Sequence, residues 1–377
     1  MKKNMFFSGV LFLLLVLNLP LFAEIKIGGI FAKTGPAGFL GLPEDKSVTL
    51  LVEQINSKGG INGEKIVYIS KDSMGNPEKA ILLAKELVEQ EKVIAILGPS
   101  TTGESLKIKD YCNENQVILI SCAAAEEIVS PVLKYVFKTP QKDSDAARRI
   151  FETMKKNNIK KVGVLTSNSG FGSTGKSQLE KLAPGYGIEI AASEVYDKSL
   201  NDLTAVLKKV QEKNVQGIIN WSIEPAQGII AKNMKQIGLN IPLFQSHGYG
   251  NIKYVKMSGD ASENIVFPCG RLVVADKLAD NHIQKKVLSD YKTAFETRFK
   301  EEASAFGGYA YDALMIIIKA VEKSGSDKEK IRDAIENTKK FVGTSGVFNF
   351  SEKDHNGLAK DSFEMITVKK GLFEIYK

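Results

Sequence analysis

The chain has 377 residues, 43% of them hydrophobic, which is enough for about two domains with cores of their own. Lys and Arg number 51 against 44 Asp and Glu; this mild formal charge of +7 is interspersed along the chain, densest from Lys155 to Lys161, a pattern that reads as solvated surface and excludes a nucleic-acid face. Three Cys and three His at scattered spacings match no metal pattern; Cys112, Cys122 and Cys269 read as small buried residues, with a Cys112–Cys122 bridge as the alternative.

Residues 1–23 have the form of a secretory signal. Lys2 and Lys3 give the positive end, Phe6 to Leu19 the apolar run, and Leu21-Phe22-Ala23 a small-residue cleavage site before Glu24. Asn18 and Pro20 interrupt the run short of the ~20 apolar residues a membrane span needs. The expected product is a soluble periplasmic protein beginning at Glu24.

From Glu24 strand and helix patterns alternate. Ile25 to Ile30 reads as a strand; Val48, Leu51, Val52 and Ile55 mark a helix face that stops at Gly59-Gly60; Ile66 to Ile69 and a helix from Pro77 to Glu91 follow. Two apolar runs, Val93 to Leu97 and Val117 to Ile120, enclose a helical segment with Ile108, Tyr111 and Cys112 on one face. Continuous apolar strands belong to parallel sheets covered on both faces, and ligands of such sheets sit beyond the strand carboxyl ends. Those ends are Gly98-Pro99-Ser100-Thr101-Thr102-Gly103 and Ser121-Cys122-Ala123-Ala124-Ala125. The first opens a helix, so its backbone N–H groups and Thr hydroxyls can converge on a carboxylate, or Gly and Thr merely turn the chain and cap the helix.

A second run of the same design begins near Gln141. It has helices at Ala146 to Met154, ending near Gly185, at Leu203 to Val210 and at Ala226 to Ile237, between strands at Val162 to Leu165, Ile188 to Val195, Gly217 to Trp221 and Leu243 to Gln245. Helices are expected at Gln284 to Phe299, Tyr309 to Val321 and Lys328 to Asn337. In the tail, Val347 to Phe350, Phe363 to Val368 and Leu372 to Tyr376 alternate like antiparallel strands, with a turn at Gly371.

Gly170-Phe171-Gly172-Ser173-Thr174-Gly175-Lys176-Ser177 matches the phosphate-loop pattern letter for letter, yet Thr166 to Ser169 separate it from the preceding strand. The reading preferred is a helix-opening loop with Phe171 aimed into a cleft. His247, His282 and His355 are far apart, no Ser or Cys sits in a nucleophile elbow, and paired acids such as Glu126-Glu127 are adjacent rather than facing. No enzyme and no cofactor are expected.

Ile25-Lys26-Ile27-Gly28, Thr34-Gly35-Pro36, Ile55-Asn56-Ser57-Lys58-Gly59-Gly60-Ile61-Asn62-Gly63, the Gly98 to Gly103 loop and Tyr309-Ala310-Tyr311-Asp312-Ala313 together resemble the leucine/isoleucine/valine-binding protein family, periplasmic solute receptors of branched-chain amino acid ABC transporters. The resemblance implies the type I periplasmic-binding fold: α/β, with two doubly wound lobes joined by a three-crossover hinge and a ligand cleft between them. Lobe 1 is expected at 24–140 plus 271–344 and lobe 2 at 141–270 plus 345–377. The implied partners are a small-molecule solute and a membrane permease, with the protein a monomer; a ligand sensor for a signalling partner is the other class sharing this fold.

By the same resemblance, Thr101, Thr102 and the loop from Ala123 to Ala125 hold a solute carboxylate, and Phe39 and Phe171 line the cleft. Two departures stand out. Ala125 occupies a position where the family commonly has Thr, and His247 falls where the family carries the acid that grips a ligand ammonium. Trp221 completes an apolar sleeve suited to an aromatic or aliphatic acid, and Glu224 is the alternative acid if the solute is an amino acid.

Overall fold

The computed structural model describes residues 24–377; the expected signal segment lies outside them. The first sheet is built from β1 (Glu24–Phe31), α1 (Gly38–Ser57), β2 (Lys65–Asp72), α2 (Pro77–Lys85), β3 (Ala95–Leu97), α3 (Thr102–Glu114), β4 (Ile118–Ser121) and β5 (Val136–Lys138). Its strands are all parallel, in the order β2-β1-β3-β4-β5. Helices on both faces explain why β3 and β4 are fully buried and therefore read as unbroken apolar runs. β5 was not foreseen; three residues, one of them Lys138, make no recognisable pattern.

The second layer begins with α4 (Asp143–Lys156) and continues through β6 (Lys161–Ser167), α5 (Gly170–Leu182), β7 (Glu189–Tyr196), α6 (Thr204–Gln211), β8 (Gly217–Trp221), α7 (Ala226–Gln236), β9 (Leu243–Gln245), α8 (Ile252–Ser258) and β10 (Val266–Cys269). The chain then returns to the first layer with α9 (Lys285–Phe299), α10 (Ala305–Ser324), α11 (Lys328–Glu336) and a small ribbon of β11 (Phe341–Val342) with β12 (Val347–Phe348). It closes with β13 (Glu364–Lys369) and β14 (Leu372–Ile375), which pair antiparallel and extend the second sheet to β14-β13-β10-β9-β8-β6-β7.

Two differences from expectation concern the tail. Val347 to Phe350 does not join β13 and β14 but pairs with β11. The segment 345–357, expected with the second lobe, packs on the first sheet: Phe350 lies edge-on to Phe137 at 5.7 Å, and the His355 ring stacks on Phe137 at 4.1 Å while Nδ1 bonds the Val136 carbonyl at 2.8 Å. Apolar burial against β5 holds it there, so the third passage between sheets falls between 357 and 364.

Each sheet has one strand from which the order runs both ways. β1 lies between β2 and β3, and β6 between β7 and β8. Crevices open beyond the carboxyl ends at such switch points. The two crevices face one another, and α3 and α5 start on opposite sides of the gap: a Cβ on Gly170 would stand 2.9 Å from the Gly103 nitrogen.

Candidate functional site

The floor on the first-sheet side is the loop after β3. Gly98 has φ of +87° and no room for a Cβ, which would meet the Ile30 carbonyl oxygen at 2.3 Å, so only glycine turns the chain here. Thr101 is the N-cap of α3 in a capping box: its hydroxyl donates to Glu104 Oε2 at 2.6 Å and accepts from Glu104 N at 3.4 Å. That hydroxyl is engaged, the plainer of the two roles open to it. Thr102, one residue inside the helix, is 1% exposed, lines the gap between the layers, and its Oγ1 has no hydrogen-bond partner among the described residues.

After β4, Ser121 Oγ accepts from Ala123 N at 3.0 Å and shares a hydrogen with Ser105 Oγ at 2.7 Å, which fixes the second small-residue turn. Cys122, Ala123 and Ala124 line the gap. Ala125 does not; it is fully buried in the apolar cluster with Ile30, Ala80 and Ile128, so the Thr expected at that place would have faced a dry core. All three Cys are free and buried.

The ceiling comes from the second sheet. Ser169 caps α5 by accepting from Gly172 N at 3.2 Å, and Phe171, 3% exposed, enters the gap. The phosphate-loop lettering dissolves here. Its residues lie inside α5 rather than in a loop before it, Lys176 runs along the surface 3.7 Å from Glu180, and Gly175 is small because a Cβ would meet Trp221 Nε1 at 2.1 Å. Trp221, fully buried, stands behind the lining, its ring 5.7 Å from Phe171 and 5.5 Å from His247. Glu224 also stays out of the gap, its Oε2 accepting from Ser222 Oγ at 2.8 Å and Ile223 N at 3.1 Å; Ile223 lines instead. Phe39 sits at the rim, edge-on to Tyr254 at 5.2 Å, with its carbonyl accepting from Asn251 Nδ2 at 3.0 Å, and the wall there is Leu40.

His247 begins a short 3-10 turn after β9 and lines the gap. Its ring is edge-on to Phe171, Trp221 and Phe363 at 5.3–5.5 Å, and neither nitrogen has a hydrogen-bond partner. Burial, aided by the Lys138 cation, pushes its pKa down to about 3, so the imidazole is neutral. Nε2 lies 3.4 Å from Asp143 Oδ1, and burial raises that carboxyl to about 8. Lys138, likewise buried and lowered to about 8, donates to the Pro140 and Gln141 carbonyls at 2.7 and 3.2 Å. Nothing in the sequence separates Lys138 and Asp143 from ordinary surface charges.

The cavity between the layers has a volume of about 310 Å³, its mouth included. Among the described residues no Asp, Glu, Lys or Arg lines it. Sequence reasoning missed Leu40, Ser100, Phe306 and Tyr309 in the wall. Ser100 stood in a loop already singled out, and Tyr309 opened a quoted motif.

The chain from 24 to 371 matches the family model described as periplasmic binding protein. It is 28% identical over 336 residues to the leucine-, isoleucine-, valine-, threonine-, and alanine-binding protein of Pseudomonas aeruginosa, covering 87% of this chain and 86% of that one. Among solved structures it is similar to an extracellular ligand-binding receptor from Rhodopseudomonas palustris HaA2, with TM-score 0.89, 27% identity and coverage of 94% and 100%. It is also similar to a branched-chain amino acid transporter substrate binding protein from Streptococcus pneumoniae in complex with isoleucine, with TM-score 0.83, 26% identity and coverage of 93% and 98%. The two-layer fold, the paired switch points and this match over nearly the whole described chain identify a member of the periplasmic binding protein family, the family of the Leu/Ile/Val-binding proteins.

Proposed function

We propose that this chain is an exported receptor of an ABC importer that captures a small carboxylate-bearing solute between two lobes and presents it to a membrane permease. The lobes are 24–140 with 271–357, and 141–270 with 358–377. The observation that carries the solute class is Thr102 Oγ1: a buried, unpartnered hydroxyl in the first turn of α3, facing a gap that the first turn of α5 closes from the other side. An anion there meets a hydroxyl and two positive helix ends. The printed names of the relatives support an aliphatic amino acid. The lining supports the second reading, an aromatic or aliphatic acid without an amine, because an enclosed ammonium needs a compensating charge and neutral His247 supplies none.

Mass spectrometry of the molecule that co-purifies with the mature protein, followed by calorimetry with leucine and 3-phenylpropionate, separates the two. Thr102→Val removes one hydrogen bond to a charged group, worth about 1.5–3 kcal/mol, so affinity falls about tenfold or more. A ligand without a carboxylate, or unchanged affinity in folded Thr102→Val, overturns the reading; chemical turnover of the bound molecule overturns the receptor role.

A further inference from the structure

Beside Thr102 the cavity wall contains a second hydroxyl whose hydrogen has a choice. Ser100 Oγ accepts from the Ala32 backbone N–H at 3.0 Å and is hydrogen-bonded to Glu44 Oε2. Glu44, on α1, is 0% exposed, and its Oε1 has no hydrogen-bond partner among the described residues. The groups facing it are acidic or neutral: Asp45 on its own helix, Glu104 on α3, Cys122 after β4 and Tyr309 on α10. Lys33, which pairs with the neighbouring Asp45 at 3.7 Å, donates to Ser70 Oγ at 2.7 Å.

An ionised Glu44 would be a buried charge with one oxygen unsatisfied and two further carboxylates facing it, the costliest of its states. As the neutral acid it has a hydrogen to give, and Ser100 Oγ is its hydrogen-bond partner. Ser100 Oγ then accepts twice, from Ala32 N–H and from Glu44, and its own hydrogen is free to turn into the cavity it lines. With Glu44 ionised, the same hydrogen must point back at the carboxylate, and Ser100 presents only lone pairs to the solute. Burial and the neighbouring carboxylates push Glu44 well above the ordinary carboxylate range, in keeping with the neutral form.

We propose that Glu44 is a positioning residue that holds a proton and so aims the Ser100 hydroxyl at the solute's carboxylate, which couples capture of the anion to a protonated buried acid. The inference rests on the carboxylate reading of the cavity. The anion and the ionised Glu44 would also repel one another through Ser100, so capture and the proton on Glu44 favour each other.

The experiment has two independent arms. Infrared difference spectra of wild type against Glu44→Gln, recorded without solute from neutral pH upward, should show at neutral pH the C=O stretch of a neutral carboxylic acid in the wild type alone, with Glu44→Met as the reference should Glu44→Gln not fold. Absence of that band overturns the proposal. In the second arm, leucine and 3-phenylpropionate are titrated calorimetrically into wild type, Glu44→Gln and Ser100→Ala from pH 6 to beyond the pH at which the wild-type infrared band is lost. The Gln amide can give Ser100 an N–H in place of the acid's O–H and has no proton to lose, so Glu44→Gln should bind as tightly as wild type while the Glu44 infrared band persists and keep that affinity at the pH where the band is lost, where wild type weakens by about tenfold. Ser100→Ala should bind about tenfold more weakly at pH 6 and share the flat profile. Because burial also lowers the pKa of Lys138 and raises that of Asp143, the difference in pH slope between wild type and Glu44→Gln is the quantity that counts. Equal slopes across the pH at which the Glu44 infrared band is lost, or a folded Glu44→Gln that binds tenfold more weakly at pH 6, overturn the proposal. If wild type binds neither probe, the carboxylate reading is what has failed for them, and the infrared band still decides the state of Glu44.

Discussion

His247 shows what burial does to one side chain. With its pKa down at about 3 in the fold and about 6.5 in the unfolded chain, the native state binds fewer protons than the unfolded state between those values. Stability contributed by the neutral ring is therefore full above about pH 6.5 and is lost as pH falls towards 3, at up to ~1.4 kcal/mol per pH unit for one proton. His247→Phe has no ring proton to take up, so its unfolding free energy, measured by urea titration at pH 4 and pH 7, should fall less on acidification than that of wild type. Equal losses would mean that His247 already titrates normally in the fold. The same neutrality makes His247 a poor stand-in for the acid expected at its position.

At the scale of elements, α10 and the turn after β11 are joined through Asp312. Its Oδ1 accepts from Thr344 N at 2.7 Å and its Oδ2 from Ser345 N and Oγ at 2.8 and 2.6 Å, all buried. Asp312→Asn turns one acceptor into a donor facing a donor, so the protein should lose about 3 kcal/mol, read as a fall in melting temperature with little change in solute affinity. An unchanged melting temperature would show that the turn is held by the α10 packing alone. This pairing, like the Glu44–Ser100 bond spanning 56 positions, is invisible to periodicity, which reports only which face of an element is apolar. With β5 excepted, the alternating strands and helices up to β9 were legible because their apolar runs and helical faces are bounded by turn residues. β5, α8 and β10 were not: β10 carries Pro268, α8 has seven residues, and β5 has three. Position after a strand end, together with the family resemblance, brought Thr102, Ala123, Phe171 and His247 to the cavity wall. It could not tell the wall from the layer behind it, where Trp221, Glu224 and Ala125 stand.

For the whole molecule, the deciding contact is where α3 and α5 meet. A Cβ on Gly170 would lie 2.9 Å from the Gly103 nitrogen and 3.0 Å from its Cα, backbone atoms that cannot turn aside as a side-chain tip would. If the lobes open about their three connections, that clash exists only in the closed arrangement, and Gly170→Ala costs nothing when they are apart. Alanine in place of glycine in a helix should if anything raise the melting temperature of the solute-free protein slightly. Closure, by contrast, would have to force the two helix starts apart, widening the gap in which Thr102 faces the solute. Gly170→Ala should therefore bind a carboxylate solute at least about tenfold more weakly, an effect of ~1.4 kcal/mol or more, and show less solute-induced compaction in small-angle scattering. Gly185→Ala, whose added Cβ meets nothing within 4 Å, is the matched control. Wild-type affinity and full compaction in Gly170→Ala would mean that solute capture does not bring α3 against α5, and the hinge reading of this pair of lobes would fall.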